Sequence, residues 1–401
     1  MFTYYPSFSV GPFGNNLIKN TKLNDLSLRF YSNEYPPELR HPHFLVTAGH
    51  FFKKDNIREL FGFDKDTSVM GDSGGFQIAS GALKYSPEIV HKIFNWLEDN
   101  SDVAMNLDIP PRILYQNKYK ECLDISKSNF KYFADHQTGK TTFLNVLQGD
   151  DENSYLNWYD NVCQFPFNGW GIGGAGGSLY RFMCGIMTLV ENQEHLKKTV
   201  KYIHILGATK ITDILILSQL QKSLDDIGCN IKVTVDSSTP SQRVAYGLYF
   251  INFDIKNCNF KSINIPKLRD EQWIEFFEKN KNKNFPFIKA CQFDSILEKN
   301  ISFLDVLKCD DQSSNAIILH NFYYYKEVME LLNSYVYSSE YLEEQLVTTD
   351  TFNVLKSIDE MVKAHLTSKS PFKIFQKYKP LYLKLSTYGQ TQNNTNNFFQ
   401  F

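Results

Sequence analysis

Short apolar stretches recur along the chain, and each ends abruptly in small or polar residues. Seven of them are rich in β-branched, aromatic and other apolar residues: FLVTAGH ending at His50, SVMGDSGG at Gly75, VAMNLD at Asp108, FLNVLQG at Gly149, GWGIGG at Gly174, YIHILGA at Ala208 and IKVTVDSS at Ser238. Near-continuous apolar runs of this length are typical of parallel strands that are buried on both faces. The pattern therefore predicts seven buried parallel strands.

Segments with helical spacing separate these strands. In PEIVHKIFNWLEDN, the side chains of Ile89, Ile93, Trp96 and Leu97 can share one face of a helix. The same spacing predicts helices in CLDISKSNFKYFADH, SYLNWYDNVCQ, MTLVENQEHLKKTV and ITDILILSQLQKSLDDIG. Strands and helices therefore alternate along this part of the chain.

The repeated β/α units favour a (β/α)8 TIM-type barrel over a doubly wound sheet. We assign the eighth strand to NFKSINIP, which ends at Pro266. In such a barrel the loops at the carboxyl ends of the strands form one rim. Polar and glycine residues that end the strands should therefore converge there, and these are Asp72, Asp108, Gln148, Gly173, Gly174 and Asp236.

The pattern changes after about residue 266, where longer and mostly helical segments begin, such as HNFYYYKEVMELLNSYV and TFNVLKSIDEMVKAHL. We therefore predict a barrel with an N-terminal extension over residues 1–266 and a mainly helical C-terminal subdomain over 267–390. The Asn- and Gln-rich tail, 391–401, is expected to be flexible.

Composition narrows the class of protein. The chain of 401 residues is 42% hydrophobic and 21% charged, with a mean hydropathy of -0.34, which is typical of a soluble globular protein. Its first residues lack the pattern of a secretory signal, so we expect a cytoplasmic protein. The formal net charge of -2 means that a nucleic-acid partner would have to be held by local basic patches.

Carboxylates gathered at a barrel rim suit the cleavage of a glycosidic bond, because one can attack the anomeric carbon while another moves a proton. Metal binding and ordinary salt bridges use the same residue types, so the carboxylates alone leave these alternatives open. Exposed backbone N–H groups beside a side-chain amide are suited to reading the edge of a planar heterocycle. The glycines and the glutamine of the rim therefore favour chemistry on a base.

Five motifs in a fixed order resemble those of the tRNA-guanine transglycosylase superfamily. They are DSGGFQ from Asp72, NLD ending at Asp108, VLQG ending at Gly149, GIGG ending at Gly174 and VDSSTP ending at Pro240. The resemblance covers roughly residues 44 to 240. Enzymes of this family replace guanine in a polynucleotide by a 7-deazaguanine without breaking the phosphodiester backbone, through a covalent glycosyl-enzyme intermediate. No energy-rich cofactor is required.

The resemblance implies a role for each matching residue. Asp236 would be the nucleophile at the sugar C1′, and Asp72 would be the general acid and base. Asp108 would accept hydrogen bonds from the N1–H and the exocyclic amine of guanine. Gln148 and the backbone of the neighbouring glycines, Gly173 and Gly174, would face its O6 and N7. Two displacements at one carbon would retain the β configuration.

Three further residues would complete the base site by resemblance. Phe76 and Leu206 would sandwich the base, and Ser73 would orient Asp72 or contact the sugar. Arginines near the rim are candidates for contacts with the nucleic-acid strand, namely Arg112, Arg181 and Arg243.

Family members that act on tRNA carry a structural zinc site made of a CxCxxC cluster and a later histidine. Here FPFIKACQF retains Cys291, and His320 resembles the family histidine, while Pro286 and Ile288 stand where the other cysteines would fall. One thiolate and one imidazole cannot complete a tetrahedral site, although Cys309 could add a third ligand. We therefore expect no cofactor, and zinc only if these three residues come together.

The degenerate zinc region and the VDSSTP sequence favour the DNA-modifying branch of the family, which occurs in phages and in bacterial modification clusters. The expected partners are DNA and a free 7-deazaguanine base such as preQ0, in the host cytoplasm if the protein is phage-encoded. The alternatives are a tRNA enzyme, a retaining sugar hydrolase and a non-catalytic paralogue that binds nucleic acid. The oligomeric state and the need for accessory proteins stay open.

Overall fold

A computed structural model of the chain describes residues 1–23, 26–35, 37, 39–174, 178–208, 210–264, 310–338 and 346–387. Its strands are β1 (Thr3–Pro6), β2 (Lys22–Leu23), β3 (Leu26–Ser27), β4 (His43–Thr47), β5 (Ser68–Asp72), β6 (Val103–Met105), β7 (Thr142–Leu147), β8 (Gly169–Ile172), β9 (Tyr202–Ile205), β10 (Lys232–Ser237), β11 (Leu248–Asp254) and β12 (Asn259–Asn264).

The described α-helices are α1 (Gly11–Ile18), α2 (Ala48–Phe51), α3 (Ile57–Phe61), α4 (Gly75–Ala79), α5 (Pro87–Asn100), α6 (Tyr119–His136), α7 (Glu152–Val162), α8 (Leu179–Glu191), α9 (Ile211–Asp226), α10 (Thr239–Ala245), α11 (Asp310–Tyr337), α12 (Thr349–Val362) and α13 (Pro371–Thr387).

Eight parallel strands form a nearly closed barrel, with helices between successive strands. Hydrogen-bonded neighbours follow one another in the order β1, β10, β9, β8, β7, β6, β5 and β4. The seven strands expected from the sequence are β4 to β10, and their apolar side chains are buried in one continuous core. The predicted (β/α)8 barrel with C-terminal helices is therefore confirmed.

The eighth strand of the barrel is β1, and the prediction that NFKSINIP supplies it was wrong. Residues 3–6 run parallel to β10, with Tyr5 in register with Asp236. The NFKSIN segment is instead β12, which pairs antiparallel with β11. In β12, Phe260 and Ile263 are only half-buried and the other side chains are exposed. A strand with so little burial on either face cannot fill a wall of a barrel that is covered on both sides.

Side chains of β1 also contact residues of β4 and β5, and these contacts join the two ends of the sheet. The hydroxyl of Tyr5 lies 3.0 Å from the hydroxyl of Ser68, and its ring centroid lies 5.2 Å from that of His43. The Nε2 atom of His41 lies 2.9 Å from the carbonyl oxygen of Tyr4. The strand therefore links β10 to the β4–β5 side of the ring.

The helices expected from the sequence are present, with one displaced. The segment MTLVENQEHLKKTV was predicted as a helix, but α8 begins earlier, at Leu179, and ends at Glu191. The hydroxyl of Ser178 accepts a hydrogen bond from the backbone N–H of Arg181 and so caps the start of α8. Most of α8 is buried. The predicted segment, which begins at Met187, therefore overlaps only the end of α8.

The C-terminal helices pack directly on the barrel. Helices α11 and α12 lie against α9, and α13 lies against α8. The ring of Phe322 on α11 lies 4.5 Å from that of Phe30 and 5.8 Å from that of Phe8, so barrel and helices share one core. The predicted boundary at 266/267 and the tail over 391–401 lie outside the described residues. Within the described residues, every helix is too short or too polar to cross a membrane.

Closure by β1 predicts a large loss of stability when its contacts are removed. Tyr4 is 5% exposed, its hydroxyl donates to the carbonyl oxygen of Ser237 at 2.9 Å, and its ring packs on Tyr325. Tyr4→Ala should lower the free energy of unfolding by about 3–5 kcal/mol in a urea titration. The matched control is Tyr246→Ala, a tyrosine that is 57% exposed, for which about 0.5 kcal/mol or less is expected. Equal losses in the two variants would contradict this role of β1.

Candidate active site

The barrel brings the chemically notable residues of the sequence to one rim. Asp72 is the last residue of β5, and Asp236 lies near the end of β10. Asp108, Gln148 and Gly173 follow the ends of β6, β7 and β8. Because all eight strands are parallel, these ends face the same way. The convergence expected from the sequence is therefore present in the fold.

The environment of Asp72 favours its protonated form. Burial and the negative charge of Asp236 raise the pKa of Asp72 to about 6, whereas hydrogen bonds from the Gly74 N–H and the Thr47 side chain act in the opposite direction. Thr47 is its register neighbour on β4. A carboxyl group with a pKa near neutrality can both donate and accept a proton at physiological pH, which is what general acid–base catalysis needs.

The carboxylate of Asp236 contacts a backbone N–H and a histidine ring. Its Oδ1 atom accepts a hydrogen bond from the backbone N–H of Gly207 at 2.9 Å and lies 3.3 Å from Nε2 of His204. The other ring nitrogen of this histidine lies 2.8 Å from the hydroxyl of Thr234. If that hydroxyl donates, Nε2 carries the proton and points it at the carboxylate.

Asp236 is also accessible, since its side chain is 17% exposed while that of His204 is fully buried. The sequence analysis did not identify His204 as part of the site. The signal was present, because His204 is the one histidine within the apolar run of β9. The two aspartates therefore sit in different surroundings, one favouring a proton and one supplied with donors.

A second polar cluster consists of Asp108 and Gln148. Both are buried, at 6% and 5% exposure, and the Gln148 amide donates to Oδ2 of Asp108 at 2.7 Å. Burial raises the pKa of Asp108 to about 7, the Gln148 hydrogen bond opposes this rise, and the charge of Asp72 adds to it. The pair thus presents an oriented carboxyl group and an amide beside Asp72.

Glycines allow the backbone to approach this cluster. A Cβ atom on Gly173 would lie 2.2 Å from Nε2 of Gln148, and one on Gly75 would lie 2.0 Å from the carbonyl oxygen of Asp108. Gly74 has φ +87, a left-handed conformation that favours glycine. Of the paired glycines of DSGGFQ, Gly75 is therefore required by close packing against Asp108, and Gly74 by its left-handed turn and its close approach to Gly49.

The GIGG segment is anchored from two sides. The Tyr155 hydroxyl donates to the carbonyl oxygen of Gly173 at 2.5 Å. The Arg112 guanidinium donates to the carbonyl oxygen of Gly174 at 2.7 Å. Arg112, which we considered as a contact for nucleic acid, thus orders the base-site backbone in this structure. Both bonds fix the position of a segment whose glycines could otherwise adopt many conformations.

The three remaining base-site candidates occupy different positions. Phe76, on the first turn of α4, is 43% exposed, and Leu206, just after β9, is half-buried. Both present apolar surface without filling the core. Ser73 is buried, and its hydroxyl donates to the carbonyl oxygen of Asn106 at 3.1 Å. Ser73 therefore connects the ends of β5 and β6.

The other two arginines also differ from each other. Arg181 forms an ion pair with Asp150 at 2.8 Å. Arg243, on α10 directly after the Asp236 strand, is exposed. An arginine that is already paired with an acid offers less charge to a phosphate, so the ion pair with Asp150 argues against a strand-binding role for Arg181. Arg243 is exposed at the surface, but partial desolvation of its side chain lowers its pKa.

The residues considered for zinc do not form a site in the described part of the chain. Cys291 and Cys309 lie outside the described residues. His320 is buried, stacks on Tyr249 with ring centroids 4.2 Å apart, and has Nε2 2.8 Å from the carbonyl oxygen of Phe250. Burial lowers the pKa of His320 to about 4. This surrounding is that of a packed core histidine, and no group of three potential ligands is present among the described residues.

No protein-family model and no curated protein matches the chain. The resemblance to the transglycosylase superfamily therefore rests on the five sequence motifs alone.

Because the pKa of Asp72 is raised, we predict that replacing this residue stabilises the protein by an amount that depends on pH. Because the pKa is about 6 in the folded protein and 3.8 in the unfolded chain, ionisation of Asp72 destabilises the fold as pH rises from about 4 to above 6. Asp72→Asn should remove this cost. The gain in unfolding free energy should grow across that window and level off at no more than about 3 kcal/mol, the free energy that corresponds to the difference between the two pKa values.

The measurement is urea unfolding of wild type and variant from pH 4.5 to 8. Asp160→Asn, which changes an exposed acid on α7, should show no such trend. A gain for Asp72→Asn that is the same at every pH would contradict the raised pKa.

Proposed function

We propose that the protein exchanges guanine in DNA for a 7-deazaguanine through a covalent intermediate on Asp236. The observation that carries this proposal is the pairing of two unlike carboxyl groups, Asp72 and Asp236, beside the buried Asp108–Gln148 cluster. A glycosidic bond needs a nucleophile and a proton donor. A buried acid and amide suit the edge of a purine, for which a sugar hydrolase would have no use.

In the first displacement, a carboxylate oxygen of Asp236 attacks the sugar C1′. The C1′–N9 bond of guanine breaks as the C1′–Oδ ester bond forms, and the leaving base takes the proton of Asp72. The Gly207 N–H donates to the attacking carboxylate group, and Nε2 of His204 lies beside the same oxygen, so that both hold its position. Positioned proton transfer of this kind contributes about 10²- to 10⁴-fold to the rate.

In the second displacement, the incoming base reverses these events. Asp72, now ionised, accepts the N9 proton of the 7-deazaguanine, whose N9 attacks C1′. The ester bond breaks, Asp236 is released as a carboxylate, and the proton count returns to its starting value. Inversion occurs twice, so the β configuration is retained.

The base would be read at the Asp108 cluster. An ionised Asp108 can accept from both the N1–H and the exocyclic amine, two adjacent donors found together on guanine and its 7-deaza analogues. The Gln148 amide already donates to this carboxyl group and so holds its orientation before the base arrives. Exposed Phe76 offers a stacking surface, and stacking on an aromatic ring is worth about 1–3 kcal/mol per base.

DNA is preferred to tRNA as the polynucleotide because His320, the one described residue of the family zinc pattern, has a packing role. The second substrate is a free 7-deazaguanine base such as preQ0. The tRNA enzyme remains the alternative within the same chemistry.

The direct test follows label from a free base into a polynucleotide. Purified protein is incubated with radiolabelled guanine, or with a labelled 7-deazaguanine, and with duplex DNA, single-stranded DNA or tRNA. We expect label in DNA. Asp236→Asn should abolish both incorporation and covalent trapping while it leaves the melting temperature within a few degrees, because the amide oxygen can still accept from the Gly207 N–H.

Asp160→Asn serves as the control and should retain full incorporation. Label in tRNA alone would show that the polynucleotide substrate is tRNA and not DNA, while the proposed mechanism would stand. An active Asp236→Asn enzyme would refute the nucleophile, and the absence of label from every substrate would refute base exchange by the isolated chain.

A second test concerns base recognition. It compares two glycines, one within β8 and one directly after it. A Cβ atom on Gly173 would displace Gln148, whereas one on Gly171 meets its nearest atom at 3.5 Å, an ordinary contact. Gly173→Ala should therefore weaken the binding of free guanine, measured by calorimetry, by about tenfold or more, the cost of one misplaced hydrogen-bonding group. Gly171→Ala should leave binding within about twofold. Equal effects would place the base elsewhere.

A further inference from the structure

An exposed apolar tip stands on the rim next to the candidate base site. After Asp108 the chain continues as IPPRIL, and Ile113 and Leu114 are 45% and 61% exposed. We call these two residues the rim wedge. Leu114 lies against the end of α4, since its Cδ1 atom would be 2.9 Å from a Cβ on Gly81. Helix α4 also carries exposed Phe76.

The backbone of the rim wedge is held in a strained conformation. Ile113 has φ +53, which for a β-branched side chain is a genuine outlier. Its neighbour Arg112 is fixed by the hydrogen bond to Gly174 at 2.7 Å, and the Tyr115 N–H donates to the Arg112 carbonyl oxygen at 3.1 Å. Strain of this kind persists where the surrounding structure enforces it, and it concentrates at functional sites. The result is two aliphatic side chains directed at solvent from an anchored turn.

Exposed lysines lie on the chain segments next to this apolar tip. Lys84 follows α4, and Lys118 and Lys120 follow the turn that carries the rim wedge, and all three are exposed. The ammonium group of Lys118 lies 5.6 Å from the ring centroid of Tyr115 and pairs with Glu121 at 3.3 Å. Exposed lysines on segments that flank an aliphatic tip in sequence suit a surface on which the lysines contact phosphates and the tip contacts bases.

We propose that the rim wedge enters duplex DNA and fills the space left by the extruded guanine. This inference rests on the proposed function and deepens it by naming duplex DNA as the form of substrate that the rim accepts. A base inside a duplex cannot reach the Asp236 carboxylate, so it must leave the stack. Proteins that open base steps insert Leu, Ile, Phe, Met or Pro side chains between them.

The position of the rim wedge fits this task. Asp108 is the residue proposed to read the extruded base, and Ile113 and Leu114 follow it by five and six residues on the same rim loop. The Arg112 anchor connects that loop to the Gly174 backbone on the other side of the base site. The same loop would therefore position both the extruded base at Asp108 and the side chain that fills the gap left by that base in the duplex.

The test compares Leu114→Ala with Leu366→Ala, which alters a leucine that is 65% exposed and lies beyond α12, away from the rim. Each variant receives the target guanine in a normal duplex, in a duplex with an abasic site opposite the target, and in single-stranded DNA. For Leu114→Ala, the ratio of the duplex rate to the single-strand rate should fall by about tenfold. The abasic duplex should restore the ratio, because its target base is already unpaired. Leu366→Ala should keep the wild-type ratio.

A second readout does not depend on chemistry. The fluorescent base 2-aminopurine, placed beside the target guanine, brightens when its neighbour leaves the stack. The Asp236→Asn protein should brighten it on binding, and the double variant with Leu114→Ala should not. Leu114→Phe, which keeps an insertable side chain, should restore the signal.

The two proposals fail in different ways. Absence of label from all DNA substrates with wild-type protein refutes base exchange on DNA. An active wild-type enzyme whose duplex-to-single-strand ratio is unchanged by Leu114→Ala refutes the rim wedge alone. Equal slowing on duplex and single strand also refutes it, because that result indicates damage to the base site.

Discussion

The pairing of β1 with β10 is the contact on which the rest of the site depends. Four residues near the N-terminus lie in register with the strand that carries Asp236, and the Tyr4 hydroxyl bonds to the carbonyl oxygen of Ser237 next to it. On its other side, Tyr5 contacts Ser68, the first residue of the strand that ends in Asp72. A short strand thus sets the separation of two aspartates that are far apart along the chain. Without it the ring would open between them.

Burial of acidic groups in one small region is the second constraint. Charge repulsion between neighbouring carboxylates must be relieved by protonation, by hydrogen bonds or by both. The protein uses both, since Asp72 and Asp108 have raised pKa values, while Asp236 receives the Gly207 N–H and the His204 ring. Neighbouring acids with unlike surroundings can take unlike roles in one reaction. The electrostatic cost of the site and its proposed chemistry therefore have the same origin.

The rim is ordered by hydrogen bonds to the backbone of its loops. Arg112 and Tyr155 hold the GIGG segment, and Ser73 ties the end of β5 to that of β6. Each bond fixes a glycine-containing or irregular segment that has no sheet partner of its own. Such anchoring limits the conformational entropy that a ligand would otherwise have to remove on binding. An anchored rim also supports the strained turn at Ile113, whose aliphatic tip faces solvent.

The sequence by itself determined the barrel class, seven of its eight strands and the rim position of each motif residue. This was possible because buried parallel strands consist of nearly continuous apolar residues, and the carboxyl ends of parallel strands in a barrel lie on one rim. It could not identify β1, since a run as short as TYYP beside Ser and Gly residues carries no strand period. The sequence also could not show that β12 pairs with β11 outside the barrel. The distinction depends on how far the strand is buried, and burial depends on contacts that are distant in sequence.

Within the site, the sequence supplied the residue types, and the tertiary structure decided their partners. Motif spacing identified Asp72, Asp108 and Asp236, but only the packed rim paired Asp108 with Gln148 and aimed His204 at Asp236. The same packing places the Arg112 guanidinium in a hydrogen bond with the carbonyl oxygen of Gly174, whereas the sequence had suggested a contact with nucleic acid. The physical reason is that proton affinity and hydrogen-bond direction depend on distances between groups on different strands and loops, and only the folded barrel with its ordered rim sets those distances.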